Sequence, residues 1–359
     1  MWGNGNGHDL GGDDVDDLGG DGVDDLPGRL EDYLPGALGA DEVAVETARR
    51  VPGGFSRHTW TVAARVDGQP RGLVVRFDPD SSLLESNRPV EYAMYAAMCE
   101  VEGVPVPAAV VEEDDPEPLG RPFMVTERAE GTADSSTVTG LGETDRRDLL
   151  EQLMGILGRI GTADWGPLGL ERVLDVPDRE ETWRVELERW EAVLDAHDLG
   201  PMPVTRAVRR WLRNHPPPPP PAVGVVHGDF RTGNFLAVEG RATAILDWEM
   251  AHLGDPLEDL AWYLLPNWRS AADRPTAPGG LLELEDTLAA WEQATGRSID
   301  RKALRWWQLL GHVKAVAIWN TGAANVVAGK TDDVQLALIP WFYNDSQEGW
   351  MLELLEVTP

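Results

Sequence analysis

Between Val225 and Tyr263 the chain reads VVHGDFRTGNFLAVEGRATAILDWEMAHLGDPLEDLAWY, and this stretch leaves few folds open. An apolar run ends at His227-Gly228-Asp229, Asn234 follows, and a second apolar run, Ala242 to Leu246, ends at Asp247. Each run has the length of a buried strand, so two carboxylates and an amide emerge together at strand ends. The spacing D-x-x-x-x-N, with an Asp after the next hairpin, suits phosphoryl transfer. One carboxylate orients a hydroxyl, while an amide oxygen and a second carboxylate hold Mg²⁺ on nucleotide phosphates. Taken singly, Gly233-Asn234 also reads as an ordinary turn, and a loop Asp is commonly just solvated. It is the ordered set that points to chemistry.

On these residues the stretch resembles the aminoglycoside phosphotransferase and choline kinase superfamily of small-molecule kinases. HGDFRTGN is similar to its catalytic loop, ILDWE to its metal-binding Asp, and GDPLEDLAW to the segment that follows. Within the superfamily the chain looks most like the branch related to the kinase-like domain fused to some acyl-CoA dehydrogenases. The resemblance implies an α+β, bilobal protein-kinase-like fold, with a β-rich N-terminal lobe and a mainly helical C-terminal lobe. It also implies ATP and Mg²⁺ as cofactors and a small-molecule hydroxyl as acceptor. Asp229 would take or orient the acceptor proton, and Asn234 and Asp247 would hold the metal.

Upstream, VAVET, TWTVAARV and GLVVRF read as antiparallel strands joined by Gly-containing turns. Gly53-Gly54-Phe55-Ser56 lies between the first two, where small residues let backbone N–H groups approach phosphate oxygens, although a Gly-Gly turn also simply closes a hairpin. The resemblance makes Gly53, Gly54 and Ser56 the nucleotide loop. It places Arg76, at the end of the third strand, on the α- and β-phosphates. The three lysines are Lys302, Lys314 and Lys330, so a phosphate cation in this half must be Arg, whose fork can bind two oxygens. A helix over 87–102, with Tyr92, Tyr95, Ala96 and Cys99 on one face, carries Glu91 in its first turn. By resemblance Glu91 pairs with Arg76; alternatively it complements the helix dipole. A strand over 121–125 leads to Glu127-Arg128-Ala129-Glu130-Gly131, a hinge by resemblance, with the Glu127 carbonyl and Ala129 amide as adenine contacts.

Beyond the hinge the pattern is helical. A helix over 144–163 opens with T-D-R-R as a capping pattern and carries Leu149, Leu150, Leu153, Ile156, Leu157 and Ile160 on one face. It reads Ile160-Gly161 where family members often have Leu-His. A second helix spans 180–197, Pro216 to Pro221 form a stiff spacer rather than an SH3-type ligand, and Gly254-Asp255-Pro256 launches a helix over 257–264. Asp255 and Asp259 are expected to brace the catalytic region. Helices over 280–295, 299–321 and 332–356 carry Trp306, Trp307, Trp319 and Trp341, read as core. Gly329-Lys330-Thr331 ends like a P-loop, but position 324 is Ala where that motif needs Gly.

Composition bounds the partners. With 62 acidic against 31 basic residues, the formal charge of −31 disfavours nucleic acid and anionic membranes. Cys99 is the single cysteine, which excludes an internal disulfide, and it reads as a small core residue. No basic segment with an apolar core opens the chain and no run approaches the ~18 apolar residues of a spanning helix, so a cytoplasmic protein is expected. Residues 1–27 read as a disordered acidic tail, and a calcium loop there fails because position twelve would be Gly28. The domain reading is then 28–126 for nucleotide, 127–131 as hinge and 132–359 for catalysis and acceptor.

Arg231 has three readings: a cation on the transferring phosphate, a fork for an acceptor carboxylate, or a surface arginine with its stem on Phe230. At the level of function, the chain reads as a small-molecule kinase. The acceptor is a hydroxy acid or its acyl thioester by resemblance to the dehydrogenase-associated branch. The rival reading is a pseudokinase acting as a nucleotide-binding or regulatory module, and a helical binding protein ranks last.

Overall fold

Alternation in three adjacent strands creates the first layer. β1 (Val43–Arg50), β2 (His58–Val66) and β3 (Gln69–Phe77) pair antiparallel, and β5 (Phe123–Glu127) and β4 (Ala109–Glu113) complete a five-stranded sheet of order β1-β2-β3-β5-β4. Trp60, Val62, Ala64, Leu73, Val75, Phe77, Phe123 and Val125 share one face and form a core with Leu26, Leu30 and Leu34 of α1 (Leu26–Leu38). Because side chains alternate across a strand, Thr59, Thr61, Val74, Arg76 and Thr126 turn to the opposite face, into a cleft. The computed structural model describes residues 25–51, 58–78, 87–134, 138–197, 199–269 and 276–356.

α1 and β4 were not anticipated, and α1 overlaps the end of the segment read as tail: Leu26 is fully buried and Asp25 caps the helix. α2 (Arg88–Cys99) is capped by Asn87, as its side chain accepts from Val90 N. The face expected of it is only partly right. Tyr95 is buried, but the other buried residues are Arg88, Val90, Glu91, Met94, Ala97 and Met98, while Tyr92 is half-buried, Ala96 is exposed, and Cys99 is exposed rather than core. The apolar residues of α2 join the second, larger core, which the helices after residue 138 build.

That part contains α3 (Glu143–Thr162), α4 (Thr182–Ala196), α5 (Pro203–Asn214), α6 (Leu257–Tyr263), α7 (Leu284–Thr295), α8 (Arg301–Val327) and α9 (Val334–Glu356). Thr144 lies inside α3 and makes no cap; Gly142 is the N-cap residue, without a side-chain bond. Among these helices sit two antiparallel pairs, β6 (Gly224–Val226) with β9 (His252–Gly254), and β7 (Phe235–Val238) with β8 (Arg241–Ile245). Gly161 has a packing reason. A Cβ there would lie 2.7 Å from Pro256 Cβ, and one on Gly224 would lie 2.2 Å from Gly161 O, so α3 sits directly on β6 and leaves no room for a histidine.

Among the described residues no helix is long and apolar enough to cross a membrane. The fold is thus α+β and kinase-like, a β-rich N-terminal part followed by a helical one, as the sequence implies.

Candidate active site

β6 runs buried into His227 and the chain then turns sharply at Gly228, where φ is +84° and a Cβ would meet Met250 O at 2.3 Å. Only glycine fits there. The turn is held from three sides. Asp259 on α6 accepts from His227 N at 2.7 Å and Gly228 N at 2.8 Å. The buried His227 ring bonds Leu246 O through Nε2 at 2.9 Å, and its Nδ1 accepts from Asp229 N at 3.1 Å. Burial lowers the His227 pKa to about 4, which keeps the ring neutral and Nδ1 an acceptor. The imidazole therefore ties the loop after β6 to the end of β8.

Asp229 emerges from this turn with its carboxylate surrounded by donors. Trp262 Nε1 donates to Oδ1 at 2.7 Å, Asn234 Nδ2 to Oδ2 at 2.5 Å, and Arg231 Nε reaches both oxygens at 3.0 and 3.1 Å. Asn234 Nδ2 also donates to Asp229 O at 3.0 Å, and the backbone Asn234 O accepts from Leu246 N at 2.8 Å. Loop and β8 end thus share one frame, and Asp247 follows immediately.

Asp247 adopts left-handed backbone angles, φ 63° and ψ 62°, a conformation that costs a non-glycine residue about 1 kcal/mol or more. Its amide donates to Tyr95 Oη at 3.2 Å, and its Oδ1 accepts from Arg76 Nη2 at 2.7 Å. Burial raises the Asp247 pKa, but the Arg76 guanidinium lowers it further, and the net direction is down. Arg76 also pairs with the fully buried Glu91, so α2 holds the arginine that β3 presents. The dipole-only reading of Glu91 is set aside by this contact.

These groups line one cleft of about 730 Å³ between the sheet and the helices. Arg76, Glu127, Ala129, Asp229, Arg231, Asn234 and Asp247 all reach it, and Glu91 stands behind Arg76. At the end of β5, Arg128 N donates to Gly72 O and Glu127 N to Ala108 O, while the Glu127 carboxylate pairs with Arg71. Gly53, Gly54 and Ser56 lie outside the described residues. Arg231 departs from the surface reading: its head is on the Asp229 carboxylate rather than in water, and its guanidinium lies 4.7 Å from the Trp268 ring centre. The tryptophans divide. Trp306 and Trp307 are core, Trp319 lines the cleft with Trp262, Trp268, Ile318 and Ile339, and Trp341 is 82% exposed.

The sequence profile described as the phosphotransferase enzyme family (APH) matches residues 47–307, most of the chain. The chain belongs to that family. Acyl-CoA dehydrogenase family member 10 of Mus musculus is 28% identical over 210 residues, 55% of this chain and 19% of the relative. Family member 11 of Gallus gallus is 29% identical over 197 residues, 54% of this chain and 25% of the relative. The chain thus spans a quarter or less of these relatives' length. The fold is that of a Ralstonia eutropha protein assigned as an aminoglycoside phosphotransferase, with TM-score 0.73 and 20% identity over 92% of this chain and 99% of that one. It is also that of APH(4)-Ia solved with AMP-PNP and hygromycin B, with TM-score 0.60 and 17% identity over 93% and 99%.

Four residues around the site went unassigned in the sequence reading: His227, Tyr95, Trp262 and Lys314. Lys314 carried a visible signal, a lone cation in the otherwise apolar run from Val313 to Trp319, since a buried charge needs a partner. Trp262 had none, because an indole at the end of an apolar helix reads as packing.

Proposed function

We propose that this chain is an ATP- and Mg²⁺-dependent kinase that phosphorylates a hydroxyl of a small hydroxy acid or of its acyl thioester. The convergence of Asp229, Asn234, Asp247 and Arg76 on one cleft carries the reading. In it Asp229 orients the acceptor hydroxyl and takes its proton as the new O–P bond forms and ADP departs. Arg76, held by Glu91, lies on the nucleotide phosphates, and Glu127 and Ala129 offer backbone to adenine. Gly53, Gly54 and Ser56, outside the described residues, are assigned to the nucleotide phosphates on their sequence alone.

The Asn234 amide and the Asp247 carboxylate, kept ionised beside Arg76, are hard oxygen donors that fit Mg²⁺. When bound, the ion would neutralise charge on the phosphate oxygens. Asn234 meanwhile keeps its amide nitrogen on Asp229, so one side chain orients the base with one end and offers an oxygen with the other.

Support for the acceptor comes from the helical side of the cleft. Trp262, Trp268, Trp319, Ile318 and Ile339 give it an apolar wall, and Arg231 supplies a fork for one carboxylate. Relatives carrying acyl-CoA dehydrogenase names favour an acyl acceptor over the aminoglycosides named for the structural neighbours. The sheet part through residue 126 is the nucleotide lobe in this reading, residues 127–131 are the hinge, and the remainder holds metal and acceptor. A screen of hydroxy acids and their thioesters for Mg²⁺-dependent ADP release tests it. Nucleotide binding without ADP release from any acceptor would instead identify a pseudokinase.

A further inference from the structure

α8 delivers a buried lysine to the back of the loop that bears Asp229. Lys314 is 2% exposed, and its ammonium donates to Gly228 O at 2.5 Å, on the residue before Asp229. The same ammonium lies 4.6 Å from the ring centre of Trp262 and 5.3 Å from that of Trp190. The Trp262 indole in turn donates to Asp229 Oδ1. One cation therefore reaches the Asp229 carboxylate by two routes, through the backbone of Gly228 and through the indole it lies over.

The charge is anchored in turn. Lys314 Nζ meets Glu258 Oε1 at 3.2 Å, Glu258 Oε2 meets His252 Nε2 at 3.2 Å, and His252 Nε2 stands 3.6 Å from Glu186 Oε1. Glu186 also accepts from Trp190 Nε1 and pairs with Arg189. Glu186, His252 and Glu258 bring their ligand atoms within 4.8 Å of one another, which is metal-site geometry. A metal is disfavoured there, because Lys314, Arg189 and the His252 imidazolium already supply positive charge to the two carboxylates. The cluster is an ion network whose open end is the Lys314 ammonium.

A buried ammonium is costly unless it is paired and hydrogen-bonded, and Lys314 meets both conditions only by being fixed between Glu258 and the Gly228 carbonyl. Among the described residues the other donors to Asp229, Arg231 and Asn234, come from its own loop, and Trp262 reaches it from outside that loop. We propose that Lys314 and Trp262 are positioning residues for the reaction, fixing the direction of the Asp229 carboxylate by the Gly228 carbonyl and the indole N–H. This rests on the reading of Asp229 as the group that takes the acceptor proton. Its consequence is that turnover depends on Lys314 of α8, a residue that does not line the cleft.

The test compares Trp262→Phe, Lys314→Met and Asp229→Asn with the wild-type chain, scoring kcat and the KM for Mg-ATP per nucleotide-binding site counted by calorimetry. Lys302→Met, on the exposed start of α8, is the control. Trp262→Phe keeps a ring near Lys314 but removes the N–H together with part of the buried indole, so the thermal midpoint should drop somewhat, while kcat per folded site should fall about 10- to 100-fold with KM for Mg-ATP unchanged, as misdirected catalytic groups do. Lys314→Met should lower kcat similarly. If it does not fold, Trp262→Phe decides alone. Loss of activity in Asp229→Asn with wild-type kcat in Trp262→Phe would overturn the positioning role. Wild-type kcat in Asp229→Asn would overturn the reading of Asp229 itself. A lowered midpoint with unchanged kcat per site would make Trp262 and Lys314 merely structural.

Discussion

Asp247 carries two loads at once. It partners Arg76 across the cleft and holds a left-handed backbone that only its surroundings enforce. Asp247→Ala removes an oxygen donor and leaves Arg76 with Glu91 alone, so Mg²⁺-dependent ATP affinity should fall about 100-fold, by analogy with lost metal-site ligation. Calorimetry giving unchanged affinity with and without Mg²⁺ would remove Asp247 from the metal. Arg231 sits where its fork is shared between Asp229 and the Trp268 face. Arg231→Ala should raise KM chiefly for carboxylate-bearing acceptors if it binds the acceptor, and lower kcat with every acceptor if it serves the transferring phosphate. Equal kinetics on both acceptor types would exclude it from the reaction. At this scale the sequence exposed acids and amides because their order is chemically rare. It hid Trp262, because the hydrogen bond that singles it out depends on how α6 is rotated over the loop.

At the scale of elements, His252 on β9 joins α4, α6 and α8 through Glu186, Glu258 and Lys314. Burial alone would lower its pKa, but Glu186 and Glu258 raise it from 6.5 to about 9. A folded-state value above the unfolded one stabilises the fold fully below pH 6.5. The contribution decays between 6.5 and about 9 and is gone above that range. Wild type should therefore exceed His252→Gln in stability by up to about 3 kcal/mol near pH 6, with the gap closing by pH 9, as about 1.4 kcal/mol per pH unit implies. Urea unfolding at several pH values measures it, and a gap independent of pH would show that the imidazole is uncharged in the fold. The sequence revealed most elements through their periodicity. It mispredicted part of the face of α2 because Glu91 is buried there against Arg76, a polar residue on an inward stripe. It missed α1 because the acidic residues before it masked Leu26, Leu30 and Leu34.

The whole molecule is defined by its charge. Asp25 caps α1 and the buried leucines of that helix follow it, so removing residues 1–24 leaves the sheet's cover intact. Turnover of the shortened chain should match the full one, and a large loss would show that the acidic segment takes part in the reaction. The remaining charge makes a sharper test of the acceptor. A net −31 surrounds a cleft that, in our reading, takes an anionic hydroxy acid. The long-range field then opposes the approach of the acceptor, while Arg231 attracts it only at contact. Salt screens the first far more than the second, because the Debye length falls from about 30 Å at 0.01 M to about 10 Å at 0.1 M. At saturating Mg-ATP, kcat/KM for a hydroxy-acid acceptor should rise about two- to fivefold over that range as the repulsion is screened. A polycationic aminoglycoside would respond in the opposite sense, since the same field draws it in at low salt. The direction of the slope reports the sign of the acceptor that reaches the cleft, and a falling rate for the hydroxy acid would count against an anionic acceptor.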